Sequence, residues 1–378
     1  MTSRTQPRNR TLQSVLIVKM SSLGDVVHAL PVASALRRSY PHMRISWAVE
    51  DWAAPLLVGH PAIDRLIVFP RMAGKEVSRA WLRSLANAVR ELQSEPYDVS
   101  LDLQGLLKSS VVVLLSRARV RIGTHGQREG ASFVSRAVPG DHGQIHVVDD
   151  YLRCAEFLGA SASPVSFDLR VQPEAEAAVV RLLAEVHVPT QPPLIVINPS
   201  CSTAWRTWPA ERWVPVVSAL AADGAVVLIG SHKQVTRHAQ IARAAWPRPH
   251  DLTGRTTLPE LVALLGRCAL HIAPDTGTAH IAAALGRPVV GLYGPTAPWR
   301  KAPYGNEDLA VYHPGACGPS CPRLCLRRRR CLQAATPEEI VHQARRAVAR
   351  VPYDPRRVSA NPSTAAAKGA KNASVHLS

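Results

Sequence analysis

Short apolar runs rich in Val, Ile and Leu recur along this chain, each followed by a polar turn and then by a segment with helical spacing. Residues 14–19 (SVLIVK) open the series. A run of this length without polar alternation fits a strand buried on both faces. The loop Met20-Ser21-Ser22-Leu23-Gly24-Asp25 comes next, and then Val26, Val27, Leu30, Ala33 and Leu36 fall at helical spacing. Pro31 in that stretch predicts either a kink or a helix that starts there. The unit repeats, with strands expected over 44–50, 65–69 and 97–103, and helices over 52–58, 76–92 and 106–116. Strand–helix–strand units of this length give a parallel sheet covered on both faces.

Residues 159–193 are rich in Pro and Ala at both ends, with one helix expected over 174–186, and read as a crossover into a second domain. The alternation then restarts. Strands are expected over 194–198, 225–230, 270–273 and 289–293. Helices are expected over 210–222, 234–245, 258–268 and 278–285, with a last one over 337–351. The fold class is α/β, with two doubly wound Rossmann-like domains whose strand C-terminal ends face a shared cleft, where ligands bind. A length of 378 residues suits two domains. The expected division is a disordered basic N-terminus (1–13), a first domain (14–170), a second domain with its closing helix (171–351) and a disordered tail (352–378).

No apolar run approaches the ~20 residues of a membrane span, and the polar, basic start lacks the form of a secretory signal. A cytoplasmic location is therefore expected. The formal net charge of +17 fits an anionic membrane face, a phosphorylated lipid, nucleic acid, or simply arginines on solvated faces. Neither a recognition helix nor an aromatic-basic platform is visible, so no nucleic-acid partner is expected. A nicotinamide enzyme is disfavoured because no G-x-G-x-x-G follows the first strand. Of the seven cysteines, Cys154, Cys201 and Cys268 are isolated and read as core residues. Cys317, Cys321, Cys325 and Cys331 crowd together, either around a structural zinc or as reduced thiols.

Three loops carry chemistry. In the first, Lys19 to His28, Gly24 permits a tight turn and Asp25 sits where strand passes into helix. Asp25 can cap the helix, or it can act as a general base toward a hydroxyl. Lys19 can stabilise that carboxylate or bind an acidic sugar, and His28 is a polar neighbour. The second loop is Pro274-Asp275-Thr276-Gly277-Thr278-Ala279-His280. A helix starting here offers free N–H groups and a partial positive charge, which suit a pyrophosphate. In the third, Arg206 follows a strand-end loop and either reaches a diphosphate or lies on the surface, with Trp208 and Trp213 packing the next helix.

Together these stretches resemble the ADP-heptose:lipopolysaccharide heptosyltransferases of glycosyltransferase family nine. SSLGDVVHALP and PDTGTAHIAAALGRPVVGLYGPT carry the resemblance, supported by DLQGLLKS and WPAERW. The segment 46–50 (SWAVE) looks most like heptosyltransferase I, which adds the first heptose to Kdo. The resemblance implies a GT-B fold, with an acceptor-binding first domain and a nucleotide-sugar-binding second domain. It also implies an inverting transfer from ADP-heptose to a lipid A–Kdo acceptor, with no metal or cofactor required. Asp25 would be the base. Arg206, Asp275, Thr276, Gly277, Thr278 and His280 would bind the donor. Lys19, Ser21, Ser22, Arg71, Lys75, Arg79, Gln104, Lys108 and Arg128 would serve the acceptor. The protein would touch the anionic inner face of the inner membrane. Two features depart from the pattern: Gln234 stands nearest the place where relatives hold the ribose with an acid, and some first-heptose enzymes lack the four cysteines.

Overall fold

The computed structural model describes residues 12–71, 77–139, 144–189, 191, 193–201, 203, 206–294, 296–313 and 330–350. Lys75, Cys317, Cys321, Cys325, most of the expected basic N-terminus and the whole expected tail lie outside them.

The first sheet contains β1 (Ser14–Val18), β2 (Arg44–Glu50), β3 (Arg65–Phe69), β4 (Val99–Asp102), β5 (Val120–Gly123) and β6 (Arg136–Ala137). Their order is β3-β2-β1-β4-β5-β6, and every pairing is parallel. The second contains β7 (Leu194–Ile197), β8 (Ala225–Leu228), β9 (His250–Asp251), β10 (Leu270–Pro274), β11 (Val289–Tyr293) and β12 (Val311–Tyr312). Its order, β12-β11-β10-β7-β8-β9, is the same arrangement read from its own first strand, again all parallel. Both sheets thus have the doubly wound nucleotide-binding order, with a switch point beside the first strand. All five residues of β1 and all four of β7 are buried, as central strands covered on both faces require.

The helices are α1 (Leu23–Ser39), α2 (Arg79–Gln93), α3 (Leu107–Leu115), α4 (Val147–Phe157), α5 (Pro173–Glu185), α6 (Ala210–Leu220), α7 (Val235–Ala244), α8 (Leu258–Arg267), α9 (Gly277–Ala284), α10 (Pro298–Lys301), α11 (Arg330–Ala334) and α12 (Pro337–Arg350). Helices α1 and α4 cover one face of the first sheet, and α1 also packs on α9 of the second half. One apolar cluster therefore runs from Val26, Leu30 and Leu152 through to Leu264, Ala279 and Ile281. Burial of this kind contributes about 25 cal/mol per Å² of apolar surface and holds the two halves together. Helices α2 and α3 lie on the opposite face over a smaller cluster that includes Leu16, Val18, Phe69 and Val113 and stays within the first half.

Sequence and structure differ in places. Residues 52–58 form only a 3₁₀ turn, Ala54–Leu56, since Pro55 and Gly59, at φ +76°, leave no room for a propagating α-helix. Helix α1 begins at Leu23 and carries Pro31 in its interior, which excludes a start at Pro31. Strands β5 and β6 and helix α4 were not anticipated. Four and two residues are too few for a readable period, and α4 starts with Val147-Val148-Asp149-Asp150, which blurs its apolar stripe.

Candidate active site

The loop between β1 and α1 is held from several sides. Gln104 Oε1 accepts the N–H groups of Met20 at 3.2 Å and Ser21 at 3.1 Å. Gln104 is itself placed by Asp102, whose carboxylate takes the N–H groups of Gln104 and Gly105 and the hydroxyl of Ser109. Lys108 Nζ donates to Ser21 Oγ at 2.5 Å and to the buried Glu50 Oε1 at 2.8 Å. Trp52 Nε1 donates to the other Glu50 oxygen at 2.8 Å, and the Arg71 guanidinium lies over the Trp52 ring at 5.7 Å. Arg71 thus reaches the loop through Trp52, Glu50 and Lys108.

Asp25 sits in the first turn of α1, where the helix dipole favours a negative charge. One oxygen accepts the Ser22 hydroxyl at 2.9 Å, and the other faces Lys301 Nζ at 3.3 Å. Burial would raise its pKa, but Lys19, Lys301, His28 and the Ser22 hydroxyl together hold the carboxyl well below the usual range. It is therefore ionised at neutral pH. Its side chain is 24% exposed, so a hydroxyl can approach. Lys19 lies beneath it, fully engaged with the Leu103 carbonyl at 2.9 Å and the Tyr151 hydroxyl at 2.7 Å. Burial brings Lys19 down to about 8, with Asp25 opposing the shift.

Across the cleft, Asp275 follows the last residue of β10. Its Oδ2 accepts from Arg206 at 2.8 Å and from the Thr296 hydroxyl at 2.8 Å, and Oδ1 lies 3.8 Å from His280 Nε2. Burial works against its charge, but His280, Arg206 and Thr296 keep it ionised. Thr276 is the N-cap of α9, with Gly277 first in the helix, so the N–H groups of this first turn have no partner within the helix. Thr278 is turned inward instead: its hydroxyl meets His271 Nε2 at 3.0 Å and Asn198 Nδ2 at 3.3 Å.

Two glycines let the helix starts meet. A Cβ on Gly24 would stand 2.6 Å from His280 Cδ2, and one on Gly277 would stand 3.0 Å from the Leu23 side chain. Behind this contact His28 Nε2 and His280 Nδ1 are 2.9 Å apart. With His280 Nε2 turned to Asp275, the partners select a tautomer in which His28 donates to His280. The structure thus gathers Asp25, Lys19, Ser21, Ser22, Gln104 and Lys108 on one side. Arg206, Asp275, Thr276, Gly277 and His280 lie on the other. Arg79 and Arg128 are exposed and, among the described residues, share no side-chain hydrogen bond with either group. Sequence reasoning missed Lys301, Thr296, Glu50 and Tyr151. Only the basic pair Arg300-Lys301, at the end of the short helix α10, offered a signal.

Beside Arg206 a cavity of about 650 Å³ opens at the ends of β7 and β8, lined among others by Ser200, Thr207, Ser231, Lys233, Gln234 and Arg237. Gln234 bridges its walls, accepting the Ser231 N–H at 2.8 Å and donating to the Cys201 carbonyl at 3.4 Å. Buried His238 underlies it, between the hydroxyls of Ser200 and Thr253, both at 2.9 Å. Among the described residues no three His, Cys, Asp or Glu side chains gather as a metal site, and Cys331 is buried.

Two facing Rossmann-like halves with all-parallel, doubly wound sheets define a GT-B fold, and solved structures share it. The glycosyl transferase family 9 structure from Veillonella parvula superposes with a TM-score of 0.76 at 20% identity, covering 90% of this chain and 98% of that one. The Escherichia coli heptosyltransferase WaaC with ADP gives a TM-score of 0.70 at 24% identity, over 89% and 100%. Residues 85–329 match glycosyltransferase family 9 (heptosyltransferase), and the chain belongs to that family. It is 29% identical to the lipopolysaccharide core heptosyltransferase OpsX of Haemophilus influenzae, over 80% of this chain and 86% of that protein. Lipopolysaccharide heptosyltransferase 1 of Escherichia coli K12 is 28% identical, over 79% and 93%.

Proposed function

We propose that this glycosyltransferase moves heptose from ADP-heptose to the Kdo of a lipid A–Kdo acceptor, with inversion and without a metal. The observation that carries the reading is the Asp25 carboxylate, ionised and accessible, in the first turn of α1 where that helix start packs against His280 of α9. Asp25 takes the proton of the acceptor hydroxyl as its oxygen bonds to the anomeric carbon. The bond from that carbon to the diphosphate breaks on the opposite face, and ADP leaves. Arg206 and the α9 amides balance the charge that develops on the diphosphate. Asp275 is already engaged by Arg206 and Thr296, so it orients the arginine rather than serving as a base. The cavity beside Gln234 receives the nucleoside, with amide and hydroxyl groups in place of an acid.

The solved complex of WaaC with ADP supports an ADP-linked donor, and relatives named lipopolysaccharide heptosyltransferase 1 support a lipopolysaccharide acceptor. We place the protein in the cytoplasm, peripheral to the inner membrane, because this acceptor is a lipid. No helix among the described residues is long and apolar enough to cross a membrane. The test is mass spectrometry of products from ADP-heptose with Kdo-lipid A, and with acceptors that already carry one heptose. A single added heptose on Kdo-lipid A supports the reading. Exclusive use of a heptosylated acceptor, or of another sugar nucleotide, replaces it with a later-acting member of the same family.

A further inference from the structure

We propose that the outward face of α3, with the turn beside it, is an interfacial docking surface for an anionic phospholipid bilayer. This rests on the reading of a lipid-borne acceptor and names the surface that meets the lipid. Helix α3 exposes Leu107 (61%), Val111 (45%) and Leu114 (49%). These are spaced i, i+4 and i+7, so they form one stripe while Val112 and Val113 point into the core. Phe133, in the adjacent 3₁₀ turn Ala131–Phe133 that packs on α3, is 94% exposed. The four residues lie on the side of the first sheet opposite α1 and α4, which carry the contact with the second half.

Charge selects the occupant. Arg79 and Arg83 are exposed on neighbouring α2, Arg117 one turn beyond Leu114, and Arg128 beside the start of α3, where its N–H bonds the Gly105 carbonyl. Among the described residues none of these four is in an ion pair with a carboxylate. Of the acids at the start of α3, Asp102 and Glu50 are buried, and the exposed Glu129 accepts the Leu107 N–H. An apolar stripe rimmed by arginines matches an interface of anionic headgroups over acyl chains, whereas a protein partner of ordinary surface would leave the arginines without counter-charge. The surface also abuts the acceptor side of the site, since Lys108 on α3 holds Ser21.

The test is co-sedimentation of the full chain with vesicles of phosphatidylcholine alone or with one-third phosphatidylglycerol, at two salt concentrations. The expected result is partition to the mixed vesicles only. It should weaken roughly fivefold for each of Arg83→Gln and Arg117→Gln, and these losses should shrink at high salt. The double variant Val111→Ser/Leu114→Ser should lose at least about tenfold at both salts, with its far-UV circular dichroism unchanged because both side chains lie outside the core. Binding needs no substrate, so it succeeds or fails independently of the heptose assay. Equal binding by wild type and the serine variant overturns the proposal. So does concentration-dependent self-association, abolished by that variant, without vesicle binding.

Discussion

The carboxylate of Asp25 and the ammonium of Lys301 face each other at 3.3 Å, although 276 residues separate them. Each comes from a different half of the molecule, so the proposed base is completed by the half proposed to bind the donor. Replacing Lys301 with Met removes a cation that favours the ionised carboxylate. The pKa of Asp25 should therefore rise toward the usual carboxylate range, which an NMR titration profile of its side-chain carboxyl carbon reads directly. A profile that does not move contradicts the coupling.

The donor side makes a separate prediction. Arg206→Ala leaves the Asp275 charge short of its 2.8 Å partner and removes the proposed diphosphate contact. Charged hydrogen bonds of this kind are worth about 1.5–3 kcal/mol, so ADP affinity should fall by roughly ten- to a hundredfold. Calorimetric titration with ADP checks this, and unchanged affinity places the diphosphate elsewhere.

The glycine contact is equally open to test. Gly24→Ala drives a methyl to 2.6 Å from His280 and should cost about 1–3 kcal/mol as the helix starts are pushed apart. Urea unfolding measures the loss. No loss, together with full activity, would show that the α1–α9 contact yields freely.

Buried histidines set the acid stability. His238 and His271 are each held down to about 4 by burial, against about 6.5 in the unfolded chain. Between those values the unfolded state binds protons that the folded state does not, so stability rises with pH across that window. Their contribution is full above about pH 6.5 and falls as pH drops toward 4, by as much as about 3 kcal/mol per site. Urea midpoints at pH 7.5 and 4.5 should differ accordingly; equal midpoints contradict buried neutral histidines.

Much of the fold was legible because a strand buried on both faces writes its burial into consecutive residues, as in Val15 to Val18 or Leu194 to Ile197. Helix α4 was not, because its buried Asp150 is tied to Arg300 of the other half, a contact that no local period records. The two loop carboxylates were legible because each follows a strand end in a Gly-containing turn. Lys301 was not, because its meaning depends on where a distant helix delivers it. Thr278 shows the reverse: its position in the PDTGT stretch suggested a donor contact, and the helix phase turns its hydroxyl to His271.

Turnover of Asp25→Asn tests the central claim most directly. Asn keeps the size of the side chain and can still accept from Ser22, so the fold and ADP-heptose binding should persist. It cannot take a proton from the acceptor, and general-base catalysis contributes about 10²–10⁴-fold. The predicted result, in single-turnover transfer with saturating donor, is a rate lower by at least about a hundredfold with donor affinity within a fewfold of wild type. A folded, donor-binding Asp25→Asn enzyme with near-normal turnover would contradict the mechanism and leave Asp25 as a helix cap.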